Sequence, residues 1–189
     1  MASLAEICSL ALLQLGAEAI TSLEGEDLPV RAKLCRAFYP FIRDAVLRAY
    51  PWNCAKVTDS LPALSESPAD TNWAYQFNLP VSPYCLWVPK TLNEDLSYEV
   101  RGRKLLANDS PVTITYICRI MDTGLYDSLL VEAIAARLAH QLAYPITGSS
   151  SLSIEIWKLY DLKLREARTI DSMEGDQRVY ESNVLTDVR

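Results

Sequence analysis

The chain has 189 residues, half of them hydrophobic and 22% charged, with a net charge of −6. This length and balance fit one globular domain with its own core, and the acidic excess argues against a surface built to grip phosphate backbones. There is no basic leader before Leu4 and no apolar run long enough to cross a bilayer, so neither a signal peptide nor a membrane anchor is expected.

The first predicted element is a helix over residues 3–15. Leu4, Ile7, Ala11, Leu12 and Leu15 recur at helical spacing, Ser3 with Glu6 forms a capping-box pattern, and Gly16 supplies the stop. Residues 19–28 read as a loop turning at Gly25. A longer helix is predicted over residues 29–50, with Asp27 as its cap and Pro29 in its first turn. Its apolar face is read as Val30, Leu34, Ala37, Phe38, Phe41, Ala45 and Val46. Pro40 predicts an interior kink, and Pro51 ends the helix.

From Trp52 to Arg119 the period shortens. Trp73, Tyr75, Phe77 and Leu79 alternate with smaller or polar residues, as do Val112, Ile114, Tyr116 and Cys118. Both stretches predict strands. Tyr84 to Val88 is a short apolar run. Residues 98–100 and 104–106 flank Arg101-Gly102-Arg103 and predict a tight hairpin. Helical spacing returns over residues 126–144, on Leu129, Leu130, Ala133, Ile134, Arg137, Leu138, Gln141 and Leu142, with Pro145 as the stop. A final helix is predicted over residues 151–173. The expected fold is α+β: a helical bundle from the N- and C-terminal segments with a small antiparallel β-sheet inserted at 52–119. One domain is expected over 1–175. The last segment, 176–189, loses periodicity and reads as a flexible tail whose Val179, Tyr180, Val184 and Leu185 gain order on a partner.

Few residues suggest chemistry. The five cysteines (Cys8, Cys35, Cys54, Cys85, Cys118) lack CxxC spacing and are expected to be free thiols. His140 is the only histidine, so a Cys/His metal site is not expected, and a small hydrolase would have to be built on His140 alone. Residues 147–151 lack the lysine of a phosphate loop and read as a capping linker. Glu94-Asp95 reads as a solvated turn. Arg101, Arg103 and Lys104 form a basic hairpin tip, better suited to protein contacts than to nucleic acid in an acidic chain. No catalytic, cofactor-binding or metal residue is assigned.

Several stretches, in order, resemble one family. They are Ile7-Cys8-Ser9-Leu10-Ala11-Leu12-Leu13-Gln14-Leu15-Gly16-Ala17 with Ile20-Thr21-Ser22-Leu23, then Cys35 to Tyr39, Arg43-Asp44 and Pro51-Trp52-Asn53-Cys54-Ala55. Tyr98-Glu99-Val100-Arg101-Gly102-Arg103 follows, then Glu132 to Ala139 and Pro145-Ile146-Thr147-Gly148-Ser149. Together they resemble the tail tubular protein A, or head-to-tail adaptor, family of tailed bacteriophages. Ser9 stands where that family favours asparagine, and Cys54 where it favours phenylalanine.

The resemblance implies a structural virion protein rather than an enzyme: one subunit of a twelve-membered ring in the neck of the particle, assembled in the host cytoplasm. Its implied partners are the portal protein, a tail tube or nozzle protein and further copies of itself. Viral DNA would pass through the lumen without sequence-specific binding, and no cofactor or membrane is involved. Arg101, Arg103, Lys104, Val179, Tyr180, Val184 and Leu185 are the candidate protein-interface residues. The alternative is another phage neck or tail-completion protein, with the His140 hydrolase behind both.

Overall fold

A computed structural model describes residues 2–25 and 27–174. Among the described residues, four α-helices and six strands form an α+β fold. In chain order they are α1 (Leu4–Leu13), α2 (Val30–Arg48), β1 (Lys56–Leu61), β2 (Tyr75–Asn78), β3 (Cys85–Trp87), β4 (Tyr98–Arg101), β5 (Lys104–Ala107), β6 (Val112–Cys118), α3 (Ser128–Thr147) and α4 (Ser150–Met173).

The helices pack around α3. Its Leu130, Ala133, Ile134, Ala135, Ala136, Leu138, Ala139, Leu142 and Ala143 are all buried. That leaves almost no solvent face, because α1, α2 and α4 each pack against it. Small alanine side chains let neighbouring backbones approach closely, and leucine and isoleucine fill the space between. The predicted one-sided face is therefore corrected: Gln141 is exposed and Arg137 only half-buried.

Two prolines lie within helices, and one of them, Pro145, departs from expectation. Pro40 lies inside a continuous α2 on its exposed side, next to solvent that can satisfy the carbonyl left without an amide partner. Pro145 does not end α3, which runs on to Thr147 and closes at Gly148 with φ +68°. In the last turn a proline removes only one ladder bond, and Thr147 Oγ1 donates to the Ala143 carbonyl at 2.6 Å. Gly148 supplies the left-handed cap that a side chain would resist.

The capping box of α1 is formed as predicted. Ser3 N–H donates to Glu6 Oε2 at 2.6 Å, and Glu6 N–H to Ser3 Oγ at 3.2 Å. Asp27 does not cap α2; Pro29 occupies the cap position without a side-chain bond. The buried face of α2 is also rotated from the predicted one. It consists of Ala32, Cys35, Tyr39, Ile42, Arg43, Val46 and Leu47, while Val30 and Phe41 are 73% and 75% exposed.

The inserted region holds two three-stranded antiparallel sheets, not one. They are ordered β1-β6-β3 and β2-β5-β4. The hairpin is as predicted, with Arg101 opposite Lys104 across a turn at Gly102, whose φ of +60° suits glycine. Strand β1 escaped prediction because Thr58, Asp59 and Ser60 are exposed and interrupt any alternating apolar pattern.

The two ends of the bundle are tied at Asn53. The Asp171 carboxylate accepts from Asn53 N–H at 3.0 Å, and Asn53 Nδ2 donates to the Asp171 carbonyl at 2.6 Å. Beside this clip, fully buried Trp52 donates through Nε1 to the Val46 carbonyl at 3.0 Å. Burial pushes the Asp171 carboxyl above its ordinary range, outweighing the hydrogen bond from Asn53. The folded chain thus holds this proton more tightly than the unfolded chain. The resulting stability is present below the unfolded value of about 4 and is lost as pH rises through the folded one. Urea denaturation of wild type and Asp171→Asn at pH 4 and pH 7 is expected to show wild type gaining on the variant at pH 4.

All five cysteines are free. Cys8, Cys35, Cys85 and Cys118 are buried and Cys54 is exposed. The Cys54 thiol is nevertheless pushed up to about 11, first by desolvation and then by Asp171. A thiol reagent is expected to titrate one slow thiol in the native protein and all five after denaturation.

Candidate functional site

The edge strands β3 and β4 face each other across a cleft of about 850 Å³ that also takes in the end of α2. Arg48, Lys90, Arg103 and Arg119 line it, against a single carboxylate, Glu99. The Tyr98 hydroxyl bridges the sheets by donating to the Val88 carbonyl at 3.0 Å.

At the centre is Tyr84. The guanidinium of Arg103 lies 4.2 Å from its ring centroid and that of Arg119 lies 4.3 Å from it. Both are within cation–π range. Arg103 is anchored by donating to the carbonyls of Cys85 and Pro80, each at 2.6 Å, and of Leu79 at 3.3 Å. Arg119 grips Asp44 of α2 through Nε at 2.9 Å and Nη2 at 2.6 Å. Asp44 also pairs with Arg43 at 2.8 Å. Arg103 thus joins the two sheets, and Arg119 fastens the β1-β6-β3 sheet to α2.

Arg48 and Lys90 are less committed. Arg48 makes one long bond, 3.3 Å, to the Leu86 carbonyl, and Lys90 sits 5.8 Å from the Tyr98 ring centroid. The cleft can receive a carboxylate or a carbonyl-rich segment. It offers no activated nucleophile: burial pushes the Cys85 thiol up to about 11.

The three basic residues of the hairpin do not form one patch. Arg101 is exposed and held by Glu99 at 2.7 Å and Asp70 at 2.6 Å. Those carboxylates keep its guanidinium above its ordinary value. Glu99 is lowered chiefly by Arg101, and Asp70 first by the Asn72 amide and then by Arg101. Lys104, its cross-strand partner, donates to Gln76 Oε1 at 3.1 Å. Arg101 and Lys104 border a small recess with Pro68, Ala69 and Gln76, while Arg103 turns into the cleft. Val179, Tyr180, Val184 and Leu185 lie outside the described residues.

His140 joins α3 to α4. Its Nδ1 lies 2.9 Å from the Ser153 carbonyl and 3.2 Å from Ser153 Oγ, and its ring meets Trp157 edge-on at 4.9 Å. A carbonyl can only accept, so Nδ1 carries the proton and cannot serve as base for the Ser153 hydroxyl. Among the described residues, no group of three or more His, Cys, Asp or Glu could hold a metal ion, and no helix is long and apolar enough to cross a membrane.

Sequence reading missed Tyr84, Arg119, Arg48 and Lys90 as members of one site. The only signal was Tyr84 at the head of an apolar run; the cations come from separate elements. Comparison of the chain with protein-family models and with curated proteins finds no match.

The different roles of the hairpin arginines are separable. Arg103→Ala strands three carbonyl contacts and is expected to cost about 2–3 kcal/mol in urea denaturation. Arg101→Ala breaks only exposed ion pairs and is expected to leave the midpoint close to wild type.

Proposed function

We propose that this chain is a structural subunit of a head-to-tail adaptor ring in the neck of a tailed bacteriophage. It binds the portal on one side and a tail tube or nozzle protein on the other, and double-stranded DNA passes through the lumen. The observation that carries this reading is the placement of exposed apolar side chains. Met121 and Leu125 are 73% and 60% exposed just before the N-terminus of α3. Tyr144, at 64%, and Ile154, at 60%, lie near its other end, on α3 and α4. From Ser128 to Tyr144 the axis of α3 rises about 24 Å between the two sets.

Scattered apolar residues on a surface are ordinary, but two unlike sets at opposite ends of one buried helix suit a head-to-tail contact. In such a contact different surfaces of successive copies meet, and the arrangement forms a ring when the rotation from copy to copy closes. The half-exposed cations of the β3–β4 cleft give a second, polar surface for an unlike partner. The net charge of −6 suits a lumen that does not hold phosphate.

The expected behaviour is a monomer or weak oligomer in isolation that assembles on the portal of the same phage. Mass photometry of the chain alone and with purified portal measures this. Met121→Glu and Ile154→Glu, both at exposed positions, are expected to block assembly without unfolding the subunit. Immunogold labelling of intact particles supplies the decisive result: label at the neck supports the reading, and label on the capsid, on the tail tip or nowhere on the particle refutes it.

A further inference from the structure

The β3–β4 cleft carries positive charge that the folded subunit leaves uncompensated. Glu99 is the only carboxylate among its lining residues, and it is held at 2.7 Å by Arg101, which does not line the cleft. The two arginines that stack on Tyr84 are committed, Arg103 to three carbonyls and Arg119 to Asp44. Arg48 and Lys90 remain, both exposed. Arg48 holds only the Leu86 carbonyl, through Nη1 at 3.3 Å. Its other nitrogens and the Lys90 ammonium make no hydrogen bond or ion pair among the described residues; the Lys90 ammonium has only the distant Tyr98 ring.

The cleft also has a backbone edge. β4 stands last in the order β2-β5-β4, so one side of it lacks a strand. The register fixes which groups face that side. The Leu79 N–H donates to the Arg103 carbonyl at 3.0 Å, which turns the residue just before β5 toward β2. Alternate residues of a strand turn their backbone groups to the same side. Lys104 and Leu106 therefore turn to β4, where Arg101 and Glu99 stand opposite them. Val100, between those two, directs its N–H and carbonyl away from β5. It is 40% exposed and lines the cleft.

A small anion would meet the cations alone. An extended peptide meets both features: its backbone pairs with Val100, and its side chains on one face recur about every 7 Å. Main-chain pairing then supplies affinity and the side-chain contacts supply selectivity. The cations select carboxylates. A second copy of this chain, with its net charge of −6, is repelled as a whole, so the segment comes from an unlike protein.

We propose that the β3–β4 cleft binds an acidic segment of an unlike protein chain, added in extended form beside β4 and held by Arg48 and Lys90. This deepens the adaptor reading at one of its surfaces and rests on it for the presence of an unlike partner.

The probe is end-blocked, fluorescein-labelled hexaglutamate, titrated with the full-length subunit at low salt and followed by fluorescence anisotropy. Saturable binding is expected. Arg48→Glu and, separately, Lys90→Glu are expected to weaken it about tenfold each, a loss of about 1.4 kcal/mol. Both positions are exposed, and urea midpoints close to wild type show that the variants fold. Lys33→Glu and Arg36→Glu reverse exposed cations elsewhere on α2 and are expected to change binding by less than about twofold. The same peptide methylated on every backbone nitrogen keeps its charge but cannot donate to a strand, and is expected to bind about tenfold more weakly. Absence of saturable binding would overturn the proposal. An equal loss in all four variants would do so too, since it marks general charge attraction, as would equal binding of the methylated peptide, which marks a site for carboxylates alone. Failed peptide binding with label at the neck sinks this inference and leaves the adaptor reading standing; peptide binding with label elsewhere does the reverse.

Discussion

The structure depends on the burial of α3 on all sides. A helix with one apolar stripe packs against one neighbour; α3 has apolar or small residues around nearly its whole circumference and serves as core for three. Its alanines set how closely the others approach. α1 and α2 come from the start of the chain and α4 from its end, so the bundle forms only when distant segments meet on this helix. The long insertion between α2 and α3 is tolerated because both of its ends are fixed at the bundle. Trp52 and Asn53 hold its entrance, and Arg119 pairing with Asp44 holds its exit.

The inserted sheets are joined by polar contacts as well as by a core. Arg103 spans from the β4–β5 turn to carbonyls next to and within β3, and Tyr98 spans in the other direction to Val88. A guanidinium suits this task. Its planar fork can satisfy several carbonyls at once while one face stacks on Tyr84. The same stacking leaves the β3–β4 cleft lined with positive charge, since the arginines that hold the sheets together are also its walls. Structural and recognition roles therefore share residues here, and a substitution meant to probe binding at Arg103 also loosens the sheet junction.

The charge distribution is uneven in a way that the net value conceals. The chain is acidic as a whole, yet the β3–β4 cleft and the outer face of α2 are both basic. Arg48 stands on both, at the end of α2. These are the surfaces on which acidic or carbonyl-rich segments would be attracted, and screening by salt would weaken both.

By itself the sequence determined the α+β class, the four helices, the 98–107 hairpin and the capping box at Ser3 and Glu6. These follow from local physics: hydrophobic period, a hydroxyl and a carboxylate three residues apart, and a glycine where φ must be positive. Tertiary structure alone decided which face of α2 is buried. Val30, Phe41 and Ala45 fit a helical stripe as well as Cys35, Tyr39 and Ile42 do, and only the position of α3 selects between them. It also decided that Pro145 could stay within a helix, since the cost of one missing bond in a last turn depends on what else caps it. The division of the strands into two sheets was not legible, because β1 pairs with β6 across the 50 residues that separate the two strands and exposes its polar side. Nor was the parting of Arg101 from Arg103. Adjacent in sequence across Gly102, they point to opposite sides of the hairpin, and only the placement of β3 gives Arg103 its carbonyls and Tyr84.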